Sequence, residues 1–115
     1  MTTLPECLFC RIVAGEVPAD VVAENRDVVA FRDLHPQAPL HVLVVPRAHH
    51  GDVAQLAAAD PALLAAVVGL ADQVAGTEAD GQFRLIFNTG PEAGQSVFHV
   101  HAHVLAGAPL GWTPA

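Results

Sequence analysis

Lysine is absent from the 115-residue chain, and five arginines face twelve acidic residues, so the net charge is −7. A nucleic-acid backbone or an anionic membrane would be repelled, and no basic run offsets that repulsion. A small anion is not excluded, because local backbone dipoles outweigh net charge at that scale. Long apolar runs are also lacking: 52% of residues are hydrophobic, yet none of the runs approaches the roughly 18 residues of a membrane helix. The chain therefore reads as a soluble, globular single domain over residues 1–115. The N-terminal MTTLPECLFC has no basic segment ahead of an apolar core, so no secretory signal is expected. Cysteine is scarce as well, with Cys7 and Cys10 forming a lone CxxC. A disulfide there would close a tiny loop and staple nothing distant, which argues against a secreted framework. A redox pair, a metal half-site and two small buried residues all remain open. The expected setting is a reducing cytoplasm.

No linker, low-complexity tract or internal repeat interrupts the pattern. CLFCRIVAGE starts as a short helix, with Leu8, Phe9, Ile12 and Val13 clustering and Gly15 ending it. DVVAEN and DVVAFRDL read as two strands of a hairpin turning at Asn25-Arg26-Asp27. LHVLVV, residues 40–45, is bracketed by Pro39 and Pro46 and reads as a central strand. DPALLAAVVGLADQVAG reads as the long helix, with Asp60 as N-cap, Pro61 in the first turn and Gly76 at its end. Gly69 weakens that helix and suggests close packing against another element or a second subunit. QFRLIFN then leads through TGPEAGQS to a final strand. The expected fold class is α+β, an antiparallel five-stranded meander with one long and one short helix.

What stands out is FHVHAHVL, residues 98–105, with three of the chain's seven histidines at alternate positions. On a strand, His99, His101 and His103 share one face, while Phe98, Val100, Ala102 and Val104 share the core-facing one. Histidine is not a favoured strand residue, so three in register argue for chemistry rather than solvation. Neighbouring pairs, about 7 Å apart at Cα, could share an ion, but the outer two are about 13 Å apart and could not. One division of labour puts an end histidine on a metal and leaves the middle one to react. A neutral imidazole is a good nucleophile towards phosphorus and a decent leaving group afterwards. His103, and His41 if its strand lies nearby, could donate to a phosphate oxygen. In the preceding loop, Gly94 allows close backbone approach, and Gln95 and Ser96 offer donors.

HVHAHVL also resembles the motif of the histidine triad (HIT) superfamily. The segments CLFCRIVAGEVPADVVAENRDVVAFRDLHPQAPLHVLVVPRAHH and LIFNTGPEAGQSVFHVHAHVLAG, with the tail GAPLGWTPA, resemble its Hint-like purine nucleoside phosphoramidase branch. That resemblance implies His101 as the nucleophile, with His103 and His41 on the α-phosphate and Ser96 near the leaving group. It implies a nucleotide site lined by Asn88, Gly94 and Ser96, beside the loop donor Gln95, with Asp33 on the ribose. Leu8, Phe9, Ile12, Phe31 and Leu34 would wall the purine, and Trp112 would reach across a homodimer whose sheets join. It further implies a structural zinc on Cys7, Cys10, His49 and His99, and a small-molecule purine nucleotide as the partner. His35 and His50 depart from the family pattern and read as solvated surface histidines, although His50 adjoins the implied ligand His49. Cleavage of the P–N bond of purine nucleoside 5′-phosphoramidates is the leading expectation. Dinucleoside polyphosphate hydrolysis is an alternative, although that branch often carries glutamine where this chain has His103. Two further alternatives are a purine-nucleotide-binding regulator with incidental turnover and a small zinc protein whose triad only binds metal.

Overall fold

Asn25 closes the first hairpin. Its side-chain oxygen accepts from the backbone N–H of Asp27 at 3.0 Å and of Val28 at 2.9 Å, as a short amide at a turn can. The turn joins β1 (Val21–Glu24) to β2 (Val28–Arg32), and β3 (Leu40–Pro46) follows. The computed structural model describes residues 6–111. Trp112 lies outside the described residues.

Strands β4 (Arg84–Ile86) and β5 (Ala102–Ala106) complete an antiparallel sheet of order β1-β2-β3-β5-β4. The expected meander therefore holds through β3 and is then interrupted, because β5 enters between β3 and β4. Burial explains the exchange. β4 is three residues long and only half-buried, which suits an edge, whereas four of the five β5 residues are buried.

Alternation along the three inner strands splits the sheet into two apolar faces. Val28 and Ala30, Leu40, Val42 and Val44, and Ala102, Val104 and Ala106 form one cluster with Leu63, Val67, Leu70 and Val74 of the long helix. Val29, Phe31, Leu43 and Val45 form the other with Cys7, Phe9 and Cys10. The second face is the one that carries the histidines. Helix α1 (Leu8–Val13) packs on it, with Phe9 against the His99 and His101 rings, and His41, His99 and His101 are all buried rather than solvated.

Two helices, not one, cross the opposite face. Besides the long helix there is α2 (Val53–Ala59), capped by the Asp52 side chain on Gln55 N–H at 2.9 Å. Asp60 ends α2 and caps α3 (Pro61–Glu78) by accepting from Leu63 N–H at 3.1 Å. Pro61 supplies no N–H and separates the two segments. The expected stop at Gly76 is corrected: α3 runs through Gly76 to Glu78. Gly81 is the left-handed glycine (φ +88°), and its N–H is donated to Ala75 carbonyl at 3.1 Å. Among the described residues, a Cβ built at Gly69 would meet no atom outside its own helix backbone within 4 Å. Among the described residues, no helix is long and apolar enough to cross a membrane.

Candidate active site and metal centre

Register brings two of the histidines together. In the β3–β5 pair His41 lies opposite Leu105 and Leu43 opposite His103, so His41 and His103 are diagonal neighbours on one face. Their rings meet, with His41 Nε2 3.0 Å from His103 Nδ1. The Gln37 backbone N–H, a donor only, reaches His41 Nδ1 at 3.0 Å. In the neutral ring the proton of His41 is therefore on Nε2 and is donated to His103 Nδ1. His103 is left with its own Nε2–H to offer.

The chain before β5 bends, and this changes one expectation. Val100, Ala102 and Val104 are buried among the core residues as alternation requires, but Phe98 is 55% exposed. Regular pairing starts only at Ala102, so the pleat does not extend back to Phe98. The same bend drives His99 into the interior and stacks Phe9 against both rings, at 6.1 Å from His99 and 5.0 Å from His101, edge to face.

His99 and His101 have opposite free nitrogens. His99 Nε2 lies 2.8 Å from the Pro46 carbonyl, which can only accept, so Nδ1 keeps the lone pair. His101 Nδ1 lies 2.9 Å from the His99 carbonyl, so Nε2 keeps it. Burial lowers the His101 pKa, partly opposed by that carbonyl and the Asp33 charge. Burial, helped by the neighbouring His101 and His41, takes His103 to about 4. Both rings are neutral at pH 7.

His99 Nδ1 points at two thiols, 3.4 Å from Cys7 Sγ and 3.5 Å from Cys10 Sγ. Cys10 Sγ is also 3.4 Å from His49 Nδ1, and the four donor atoms lie within 4.8 Å of one another. A tetrahedral zinc with ordinary bond lengths has ligand–ligand edges of about 3.3–3.8 Å. The distances and the soft S₂N₂ donor set fit such an ion, and the Pro46 carbonyl orients His99 from behind. Cys7 and Cys10 are not joined to each other. Burial, with His50 nearby, lowers the His49 pKa, and the His50 ring is outside the cluster.

Asp33, His41 and His103 also bring potential ligand atoms within 4.8 Å. His41 and His103 are hydrogen-bonded to each other with Asp33 Oδ2 3.5 Å away, and an ion on His41 Nε2 would force the ring proton onto Nδ1, against the Gln37 N–H.

A cleft of about 280 Å³ opens beside His101 and His103. Phe9, Ile12 and Phe31 form its apolar wall, with Leu8 and the 90%-exposed Leu34 only at the rim. Asp33, Gly94 and Ser96 also line it. Gly94 has φ +94°, a left-handed backbone open to glycine. Asn88 stands behind it, donating its side-chain amide to Ala93 carbonyl at 2.9 Å. Gln95 departs from its expected part. Its side chain donates to Gly51 carbonyl (2.7 Å) and Val97 carbonyl (3.1 Å) and accepts from Gly90 N–H, while its own N–H goes to Gly90 carbonyl. It braces the loop and has no donor left for a ligand.

Sequence reasoning missed Pro18, Asp20, Leu43 and Val97, which also line the cleft, and His35, which reaches it from the surface. They come from loops and a mid-strand position that carry no local motif. The Gln37 and Pro46 backbone groups that set the tautomers were equally invisible, since any residue could supply them.

The chain matches the HIT domain over residues 14–110. The purine nucleoside phosphoramidase of Escherichia coli strain K12 is 39% identical over 108 residues, covering 92% of this chain and 91% of that protein. A 14 kDa zinc-binding protein of Zea mays is 39% identical over 112 residues, covering 93% and 86%. The crystal structure of a HIT family hydrolase from Legionella pneumophila Philadelphia 1 superposes with a TM-score of 0.90 at 40% identity, covering 96% of this chain and all of that one. With its triad, its five-stranded sheet and a match over most of its length, this chain belongs to the HIT domain family.

Proposed function

We propose that the chain is a hydrolase that cleaves the P–N bond of purine nucleoside 5′-phosphoramidates. The observation that carries this reading is the bond from His101 Nδ1–H to the His99 carbonyl, which leaves Nε2 as a neutral nucleophile at the cleft. The name of the Escherichia coli relative supports the substrate class.

The purine lies against Phe9, Ile12 and Phe31, with the Asp33 carboxylate on the ribose and the α-phosphate between Gly94 and His103. His101 Nε2 forms a bond to phosphorus and the P–N bond breaks, the amine leaving with a proton drawn from water on the open Ser96 side. The His103 Nε2–H holds a phosphate oxygen as charge develops there. Water then attacks phosphorus. The P–Nε2 bond breaks, its electron pair returns to His101, and the water's proton returns to solvent.

Cys7, Cys10, His49 and His99 are read as a closed zinc site, in which the ion supplies a crosslink between α1, β5's approach and the segment after β3. The zinc-binding maize relative supports that identity. Completing the reading are a homodimer and a reducing cytoplasm that keeps both thiols available to metal. The test is amine release from adenosine 5′-phosphoramidate. Steady turnover by wild type that collapses in His101→Ala is expected. No turnover by a folded, metal-loaded protein that still binds AMP would refute the reading and favour a nucleotide-binding regulator.

A further inference from the structure

Two groups face His41 Nε2, one as its hydrogen-bond partner and one as a carboxylate at ion-pair distance. His103 Nδ1 is at 3.0 Å, and Asp33 Oδ2 is at 3.5 Å. Asp33 is not free to swing away, because its Oδ1 accepts from His35 N–H at 2.8 Å and fixes the carboxylate in an Asx turn. Its side chain is 19% exposed and that of His41 4%, so the carboxylate acts across a short and poorly solvated gap. The negative charge also reaches the His101 and His103 rings. A carboxylate placed only to meet a ribose would not need to face the buried imidazole.

We propose that Asp33 is a positioning residue for the chemical step as well as a ribose contact. The charge on its Oδ2, 3.5 Å from His41 Nε2, keeps the His41 ring turned towards His103 and thereby aims the His103 Nε2–H at the phosphate. The Gln37 N–H holds the other side of the same ring. His41 is thus clamped by one donor and one anion, and His103 inherits its orientation from that clamp. The proposal rests on the phosphoramidase reading for its effect on turnover, but not for the clamp itself.

Asp33→Asn separates the two roles. Its side-chain oxygen still accepts from His35 N–H, so the turn survives, but the NH₂ now faces the His41 Nε2–H, donor against donor. The variant is assayed with adenosine 5′-phosphoramidate and with the 2′,3′-dideoxy analogue, which offers no hydroxyl to Asp33. A residue that only binds ribose changes KM for the first substrate and nothing for the second. A positioning residue lowers kcat for both, here by about 10–100-fold, below or at the low end of what a general acid–base group contributes directly. Unchanged kcat on the dideoxy substrate would overturn the proposal. Nitrogen-15 NMR of the imidazoles gives a readout that needs no turnover. The His41 and His103 ring signals are expected to move together in Asp33→Asn, and rings superimposable on wild type would overturn the proposal. Moving rings in a protein inactive on phosphoramidates would sink the proposed function and leave the clamp standing.

Discussion

His99 and His101 are two residues apart on one strand approach, yet they face different chemistry. Each gives its only proton to a backbone carbonyl, His99 from Nε2 to Pro46 and His101 from Nδ1 to His99. The first therefore presents Nδ1 to Cys7 and Cys10, and the second presents Nε2 to an open cleft. The residue type is the same and the burial similar, so the division of labour comes from which nitrogen meets a carbonyl. In the proposed function, two residue positions separate a metal ligand from a nucleophile.

Breaking either side should leave distinguishable damage. The largest expected effect is on His101: His101→Ala should lower kcat by about 10⁴-fold or more, as for loss of a covalent nucleophile, while metal content measured by atomic absorption stays at the wild-type value. Cys10→Ala should do the reverse. Metal content should fall, and the melting temperature should drop by about 10 °C or more, since a few kcal/mol at roughly 4–8 °C per kcal/mol is the scale for a domain this size. A variant that keeps its metal and its melting temperature would contradict the assignment of the cluster.

Acid should weaken the reactive side in a defined window. The His103 pKa is about 4 in the fold against 6.5 for the free side chain. As pH falls, the unfolded chain takes up that proton first, so the fold loses stability between pH 6.5 and about 4 and has its full share above pH 6.5. Urea midpoints across this range should fall in wild type and fall less in His103→Gln. Because burial also lowers the His101 pKa, the acid limb of the kcat profile should lie below the pKa of a free imidazole.

Smaller effects sharpen the same picture. Gly94→Ala places a side chain at φ +94°, which should cost about 1–2 kcal/mol in denaturant titration and weaken AMP binding. Smallest is Gly69→Ala. Among the described residues nothing opposes it, so an isolated subunit should gain about 0.5–1 kcal/mol of helix stability. A loss instead, accompanied by dissociation in sedimentation, would place a second subunit against that face.

Much of this was legible because local chemistry left marks in the sequence. The Asn25 turn, the Asp60-Pro61 start, the bracketed apolar strand 40–45 and the alternating histidines each carry their cause in a few adjacent residues. The CxxC alone left three readings open. It was the fold that set His49 and His99 against it, from segments 39 and 89 positions away. What stayed illegible was decided at longer range. Insertion of β5 beside β3 depends on relative burial of two strands. The exposure of Phe98 depends on where pairing begins, and the bracing part of Gln95 depends on a carbonyl at Gly51. Gly76 misled because a glycine inside a helix and one past its end look alike until the left-handed turn at Gly81 is seen.

The most direct test of the central claim is to trap the intermediate. Wild-type protein mixed with adenosine 5′-phosphoramidate and quenched under denaturing alkaline conditions, which spare an N–P bond, is analysed by intact-mass and peptide mass spectrometry. One adenylyl group per chain is expected, mapped to His101 and absent from His101→Ala. Turnover with no adduct, or an adduct on His99 or His103, would contradict the claim.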